Sequence, residues 1–247
     1  LVSLARISDL SQRFDRRDGD DELTSRRFTT RGIPPKVQRV INHERLAMGP
    51  PKTLLQMAGA SAVPSAIKDA ALVLIDCQRE YLDGKLALPR IKPALEEAGR
   101  VLALVRVGGA PVIHVVHHAA PGAALFDPKG PFVEIVDPVR PREGEAVVVK
   151  GKPNAFAGTD LDARLKALGK KELIVVGFMT HMCVSSTVRA GLDLGYRSTV
   201  VANAVATRDL PDGRGGVIEA EALQLAELAG LADRFATVVD NVSAWAG

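Results

Sequence analysis

Residues 174–205 read IVVGFMTHMCVSSTVRAGLDLGYRSTVVANAV. An unbroken apolar, β-branched run reaches Phe178, and a helix-forming segment over 182–194 follows. Gly195 stands where a helix C-terminal glycine belongs, and a second β-branched run at 198–205 closes the unit. Strand, helix and strand in so short a span predict a right-handed crossover between parallel strands. Neither run alternates polar with apolar, the pattern of strands covered on both faces.

The same alternation extends outward. Apolar runs at 71–76, 111–117, 146–150, 172–178, 198–205 and 235–240 predict six strands. Helices are predicted over 91–107, 159–168, 182–194 and 216–229, with Gly108, Gly109 and Gly169 just past two of them. The fold class that follows is α/β, a three-layer α/β/α sandwich around a central, mostly parallel six-stranded sheet. The connection 119–145 is long, with five prolines and the aromatics Phe126 and Phe132. Connections of that length in a compact domain usually serve function, so it is expected to wall a pocket or pair subunits.

Residues 1–62 differ. They hold Arg pairs, the acidic run DRRDGDDE, the turn-like GIPP and GPP, and little apolar periodicity. A disordered or non-native extension is predicted there, with short amphipathic helices only around 37–47, and the folded domain over 63–247. The dense acidic run disfavours a transit peptide. Met57 fits a native start, which would make residues 1–56 an upstream-translated or dispensable extension.

With 247 residues, 47% of them hydrophobic, the chain suits one domain with a substantial core. Of its 32 basic and 29 acidic residues, 11 and 7 fall within 1–62, leaving 21 and 22 in the remainder. That remainder has no basic bias, so a nucleic-acid partner is not expected. No apolar stretch approaches the length of a bilayer-spanning helix, so a membrane partner is not expected either. Two cysteines, Cys77 and Cys183, make no disulfide framework in a chain this long, and a reduced, cytoplasmic compartment is the expectation.

Three strand ends carry reactive groups. Asp76 ends ALVLI, Lys150 ends AVVV, and Cys183 lies five residues past Phe178 in a G-x-x-T-x-x-C setting at a helix start. In an open parallel sheet, the carboxyl ends form the ligand crevice. A carboxylate, an ammonium and a thiol converging there are the parts of a nucleophilic cysteine hydrolase. The helix start, with its N–H groups and dipole, predicts a stabilised Cys183 thiolate. Each residue has a plainer reading too. Unpaired cysteines are commonly small buried residues; an aspartate there can be a turn or cap; a lysine can snorkel from an edge strand, with Lys152 as its competitor. Cys77 and His114 read as core, while His117 or His118 can line the site. No H-x-x-x-H helix, D-x-H group or Cys pair at metal spacing is present, so no metal is assigned. Residues 213–216 lack the G-x-G-x-x-G arrangement of a nucleotide site.

Taken in order, D-C-Q-R-E-Y from Asp76, K-G-K-P-N-A-F from Lys150, G-F-M-T-H-M-C-V-S-S-T from Gly177, and Gly195-Tyr196 ahead of TVVANAV form one pattern. It resembles the isochorismatase-like cysteine hydrolases, which include nicotinamidases, N-carbamoylsarcosine amidases and ureidoacrylate amidases. The resemblance covers about residues 70–240, and its K-x4-A-F register favours Lys150 over Lys152. It implies a triad: Cys183 as nucleophile, Asp76 as general base and acid, Lys150 as the cation that orients the aspartate and favours the thiolate. It also implies a cis peptide between Phe178 and Met179, turning the Met179 and Cys183 N–H groups toward an oxyanion. A homo-oligomer without cofactor is implied as well. By position, Tyr81, His117, Phe126, Phe132, Phe156 and Phe178 are the expected pocket walls, for a small, partly apolar substrate.

Departures from the family pattern narrow the expectation. Metal-containing nicotinamidases carry D-x-H and a further histidine where this chain reads VVHHAAPG, and true isochorismatases act on a vinyl ether without a cysteine nucleophile. Asn203-Ala204 stands where Asp-Ala is common, putting a supporting contact in doubt. The leading expectation is a hydrolase of a small linear amide or a carbamoyl or ureido compound, acting through a thioester. The alternatives are a nicotinamidase, a non-hydrolytic member with a redox-reactive thiol, and a structural protein that kept the fold.

Overall fold

The computed structural model describes residues 50–246. Residues 1–49 of the predicted extension, with the helices expected around 37–47, lie outside the described residues. Within 50–62 the chain forms one helical turn, α1 (Leu54–Met57), closed by reciprocal Thr53 and Gln56 hydrogen bonds. Its Leu54 N–H donates to Asp233 Oδ1.

The strands are β1 (Ala70–Ile75), β2 (Val112–His117), β3 (Ala146–Lys150), β4 (Glu172–Phe178), β5 (Arg197–Ala206), β6 (Leu210–Pro211), β7 (Val217–Ile218) and β8 (Ala236–Val239). The helices are α2 (Ile91–Val107), α3 (Leu161–Ala167), α4 (Ser185–Asp193) and α5 (Ala220–Arg234). Six strands form one sheet in the order β3-β2-β1-β4-β5-β8, and all five pairings are parallel. Side chains alternate between two apolar layers. Leu72 and Leu74 of β1 pack on the α2 side with Leu95, Val101, Leu102 and Val105. Ala71, Val73 and Ile75 face the other way, toward Leu161, Leu165, Val188 and Leu231 of α3, α4 and α5. Burying both faces at about 1.5–3 kcal/mol per large side chain is why the central strands read as unbroken apolar runs. This is the α/β/α sandwich that the crossover pattern predicts.

Three local expectations are corrected. The β3 run is not covered on both faces: Val147 and Val149 are 44% and 51% exposed, because β3 is an edge strand. The helix predicted from 216 begins at Ala220, since Gly213, Gly215 and Gly216 belong to the β6–β7 hairpin. There Asp212 Oδ1 accepts from the Arg214 and Gly216 N–H groups. The helix predicted over 182–194 is a π-type turn, Thr180–Val184, followed by α4.

The strand order reverses between β1 and β4, so the crevice of the sheet opens beyond the ends of these two strands. Gly177 makes their close approach possible. Its φ is 115°, and an added Cβ would lie 2.0 Å from the Ile75 carbonyl oxygen. Gly177→Ala is therefore expected to lose about 3 kcal/mol or more in denaturant unfolding, through overpacking and backbone strain together. A loss below about 1 kcal/mol would mean that the strands can part there at little cost.

Candidate active site

Asp76 leaves β1 in the left-handed region, with φ 50°. Its N–H donates to Val115 O at 2.8 Å, and its carbonyl accepts from Gln78 N at 2.8 Å. The strand hydrogen bonding thus ends in a turn that holds the carboxylate inside. Lys150 is the last residue of β3, and Cys183 lies in the π-type turn that follows β4, a form common at functional sites. The three residues are 0%, 1% and 4% exposed. Lys150 does not snorkel from its edge strand; it runs inward across β2 toward β1.

Its Nζ stands 2.7 Å from Asp76 Oδ2 and 3.4 Å from Cys183 Sγ. The first is a contact ion pair off the hydrogen-bond axis, so neither Asp76 oxygen has an aligned donor. Both oxygens keep the capacity to accept a proton. Burial raises the Asp76 carboxyl to about 6, against the lowering charge of Lys150. Burial, reinforced by the Asp76 charge, pushes the Cys183 thiol up to about 12, and Lys150 only partly offsets them. This works against the thiolate expected from the helix start. A helix start contributes only about 0.3–1 kcal/mol, and desolvation beside an existing carboxylate outweighs it. Burial thus favours the neutral thiol beside the Asp76 carboxyl.

The peptide between Phe178 and Met179 is cis, and Met179 O accepts from the Met182 and Val184 N–H groups at the head of the turn. Tyr81 is buried and meets Phe126 and Phe178 edge-on, with centroids 5.2 and 5.9 Å apart. Phe126 in turn meets His117 at 5.1 Å, and His117 Nδ1 lies 3.2 Å from Lys150 Nζ. Four of the six predicted wall residues thus converge with the trio. The other two are engaged elsewhere: Phe156 stacks on Tyr196, and Phe132 lies beneath the Arg79 guanidinium. Lys152 is exposed. His114 is buried and bonded to Glu145, which also holds Arg106. Asn203 lies within β5 and its N–H donates to Asp240 O, while the strand runs on to Ala206.

Several residues around the site were not anticipated. Glu80, buried, accepts from Lys85 N through Oε1 and from Phe126 N through Oε2, tying the long connection to the β1 turn. His181 Nδ1 meets Thr207 Oγ1 at 2.5 Å. Arg208 follows the end of β5, where Ala206 pairs with Phe178. Its positive charge opposes the upward shift that burial imposes on Tyr81, and adds to the lowering that burial imposes on His181. Among the described residues Arg208 has no acidic partner, and its Nε is buried without a hydrogen bond; so are Thr180 Oγ1 and His181 Nε2. A lone arginine in the turn-like RDLPD gives no sequence signal of this. No group of three His, Cys, Asp or Glu side chains among the described residues is placed to hold a metal. A cleft of about 700 Å³ between α2 and α5, bordered by Arg90, Asn203 and Gln224, contains none of the trio.

Residues 70–242 match the Isochorismatase domain, and with this sheet the chain belongs to the isochorismatase family of hydrolases. It is 40% identical over 185 residues to the secreted isochorismatase effector Isc1 of Verticillium dahliae, covering 75% of this chain and 95% of that protein. The crystal structure of an isochorismatase from Pseudomonas putida KT2440 superposes with TM-score 0.75 at 42% identity, covering 78% of this chain and 99% of that one. N-carbamoylsarcosine amidase from Thermoplasma acidophilum superposes with TM-score 0.60 at 28% identity, covering 70% and 96%. Among the described residues no helix is long and apolar enough to cross a membrane.

Proposed function

We propose that the chain is a cysteine-dependent hydrolase of a small linear amide, carbamoyl or ureido compound. The observation that carries this reading is a buried lysine held between a carboxylate and a thiol, 2.7 and 3.4 Å away. Asp76 accepts the Cys183 proton as Sγ attacks the substrate carbonyl carbon. The Met179 and Cys183 N–H groups hold the resulting oxyanion, each worth about 3–4 kcal/mol in sites of this type. Collapse expels the amine, which takes the proton from Asp76, and leaves a thioester on Cys183. Asp76 then draws a proton from water, whose oxygen attacks the thioester and releases the acid and the thiol. Lys150 stays protonated throughout and fixes the other two groups. No cofactor enters the scheme.

Tyr81, His117, Phe126 and Phe178 form a small, largely aromatic wall. Arg208, which has no acidic partner among the described residues and whose charge acts on Tyr81, favours substrates that also carry a carboxylate, since a guanidinium gains most from a fork-like anion. The resemblance to an N-carbamoylsarcosine amidase supports the same substrate class. Two free cysteines support a reducing, cytoplasmic setting, although the Verticillium relative is named as secreted. A homo-oligomer would cover apolar surface such as the open face of β3. Nothing in the site's chemistry calls for nucleic acid or membrane.

Ammonia release from a panel of N-carbamoyl amino acids and neutral amides tests the assignment. The carbamoyl acids are expected to turn over, and Arg208→Met is expected to raise KM for them ~10–100-fold while leaving neutral amides within about 3-fold. A folded protein that releases no ammonia from any of them overturns the reading.

A further inference from the structure

Lys150 has three N–H donors and no acceptor. Nζ donates to Cys183 Sγ and stands in ion contact with Asp76 Oδ2. A further acceptor within reach is His117, whose Nδ1 is 3.2 Å from Nζ. His117 and Lys150 are register partners on β2 and β3, so the sheet itself sets them side by side.

His117 is held independently of the lysine. Gln78, itself buried, accepts from the His117 N–H through Oε1 at 2.7 Å. Gln78 Nε2 donates to His117 O at 3.1 Å and to Val133 O at 2.7 Å. Phe126 packs edge-on against the ring, and Glu80 fixes Phe126 through its backbone N–H. The imidazole therefore sits in a frame built from the β1 turn and the long connection. Burial, then the Lys150 and His118 charges, hold it down to about 4, so the ring is neutral near pH 7. Against an ammonium, a neutral ring can only accept: Nδ1 is bare and Nε2 carries the hydrogen.

We propose that His117 is a positioning residue that accepts a Lys150 hydrogen and thereby holds the ammonium between Asp76 and Cys183. Sequence position alone makes His117 a pocket wall; the geometry gives it a role directed at the lysine. The inference rests on the reading of Asp76, Lys150 and Cys183 as the reacting centre. Its test is independent of any substrate.

In the full chain labelled with ¹⁵N-histidine, the His117 signals, identified by their loss in His117→Asn, are expected to show a bare Nδ1 and a protonated Nε2 between pH 6 and 8. Lys150→Met is expected to abolish that preference. Iodoacetamide labelling of Cys183, followed by peptide mass mapping, supplies the second readout. His117→Leu is expected to slow labelling ~10-fold at pH 7, the scale of one lost hydrogen bond to a charged group. His117→Asn, whose Oδ1 can replace Nδ1 as acceptor, is expected to restore it to within about 3-fold. A proton on Nδ1 in the unaltered chain overturns the proposal, as does His117→Leu labelling at the parent rate. If the tautomer and labelling results hold and no amide is hydrolysed, the amidase reading fails and the positioning role stands. If amides are hydrolysed and the tautomer is reversed, the positioning role alone fails.

Discussion

Cys183→Ala is expected to remove amide hydrolysis, by ~10,000-fold or more in kcat, with the fold intact. The side chain is small and buried in the turn after β4, so alanine fills most of its volume and removes a single sulfur. Losing the atom that forms the covalent bond removes the two-step route altogether, and what survives is only what the oxyanion donors and binding supply. Wild-type protein quenched during turnover should carry a mass increment of one acyl group on the peptide containing Cys183, and the variant should carry none. Residual activity above about 1% of wild type would place the nucleophile elsewhere.

The second large effect belongs to Asp76 and is visible in pH. As the base, Asp76 works only when ionised, and burial lifts its carboxyl from the usual carboxylate range to about 6. Below that pH it carries its own proton and cannot take one from Cys183. The sign follows directly: kcat/KM climbs as pH rises through about 6 and is lost on the acid side. Cys183 alkylation should follow the same limb, although the thiol itself is pushed up to about 12, because attack is assisted by the ionised neighbour. Asp76→Asn should erase the limb and cost ~100–10,000-fold in kcat, the range of general acid–base catalysis. A limb near pH 4 in the unaltered protein would instead point to an exposed carboxylate as the base.

The sheet was legible because its signal is redundant. β3 and β4 fall on their predicted bounds, α2 does too, and β1, β2 and β5 differ by no more than one residue at either end, since β-branched apolar runs stay unbroken along these strands. Asp76, Lys150 and Cys183 were legible because each ends or follows such a run, and a parallel sheet brings those ends together. The failures have local causes. Gly216 reads as the start of a helix but serves a hairpin held by the Asp212 carboxylate. Phe156 was assigned to the pocket from its place after Lys150, whereas its ring finds Tyr196, a partner 40 positions away. The Cys183 thiolate was expected from the helix start and the Lys150 cation; burial beside the Asp76 charge is a fact of three-dimensional packing. Gln78 and Glu80 matter through partners distant in sequence, and no periodicity announces such pairs.

The division of labour between strand ends and connections has a consequence for how such a protein can change. The reacting groups are anchored to the sheet, where most substitutions would disturb core packing. Phe126 of the aromatic wall arrives on the connection between β2 and β3, joined to the β1 turn through Glu80 and the Phe126 N–H, and Arg208 arrives on the turn after β5. Lengthening or rewriting those two stretches alters what can enter without moving the atoms that react. A lineage built on this plan can exchange one substrate for another while inheriting its chemistry unaltered.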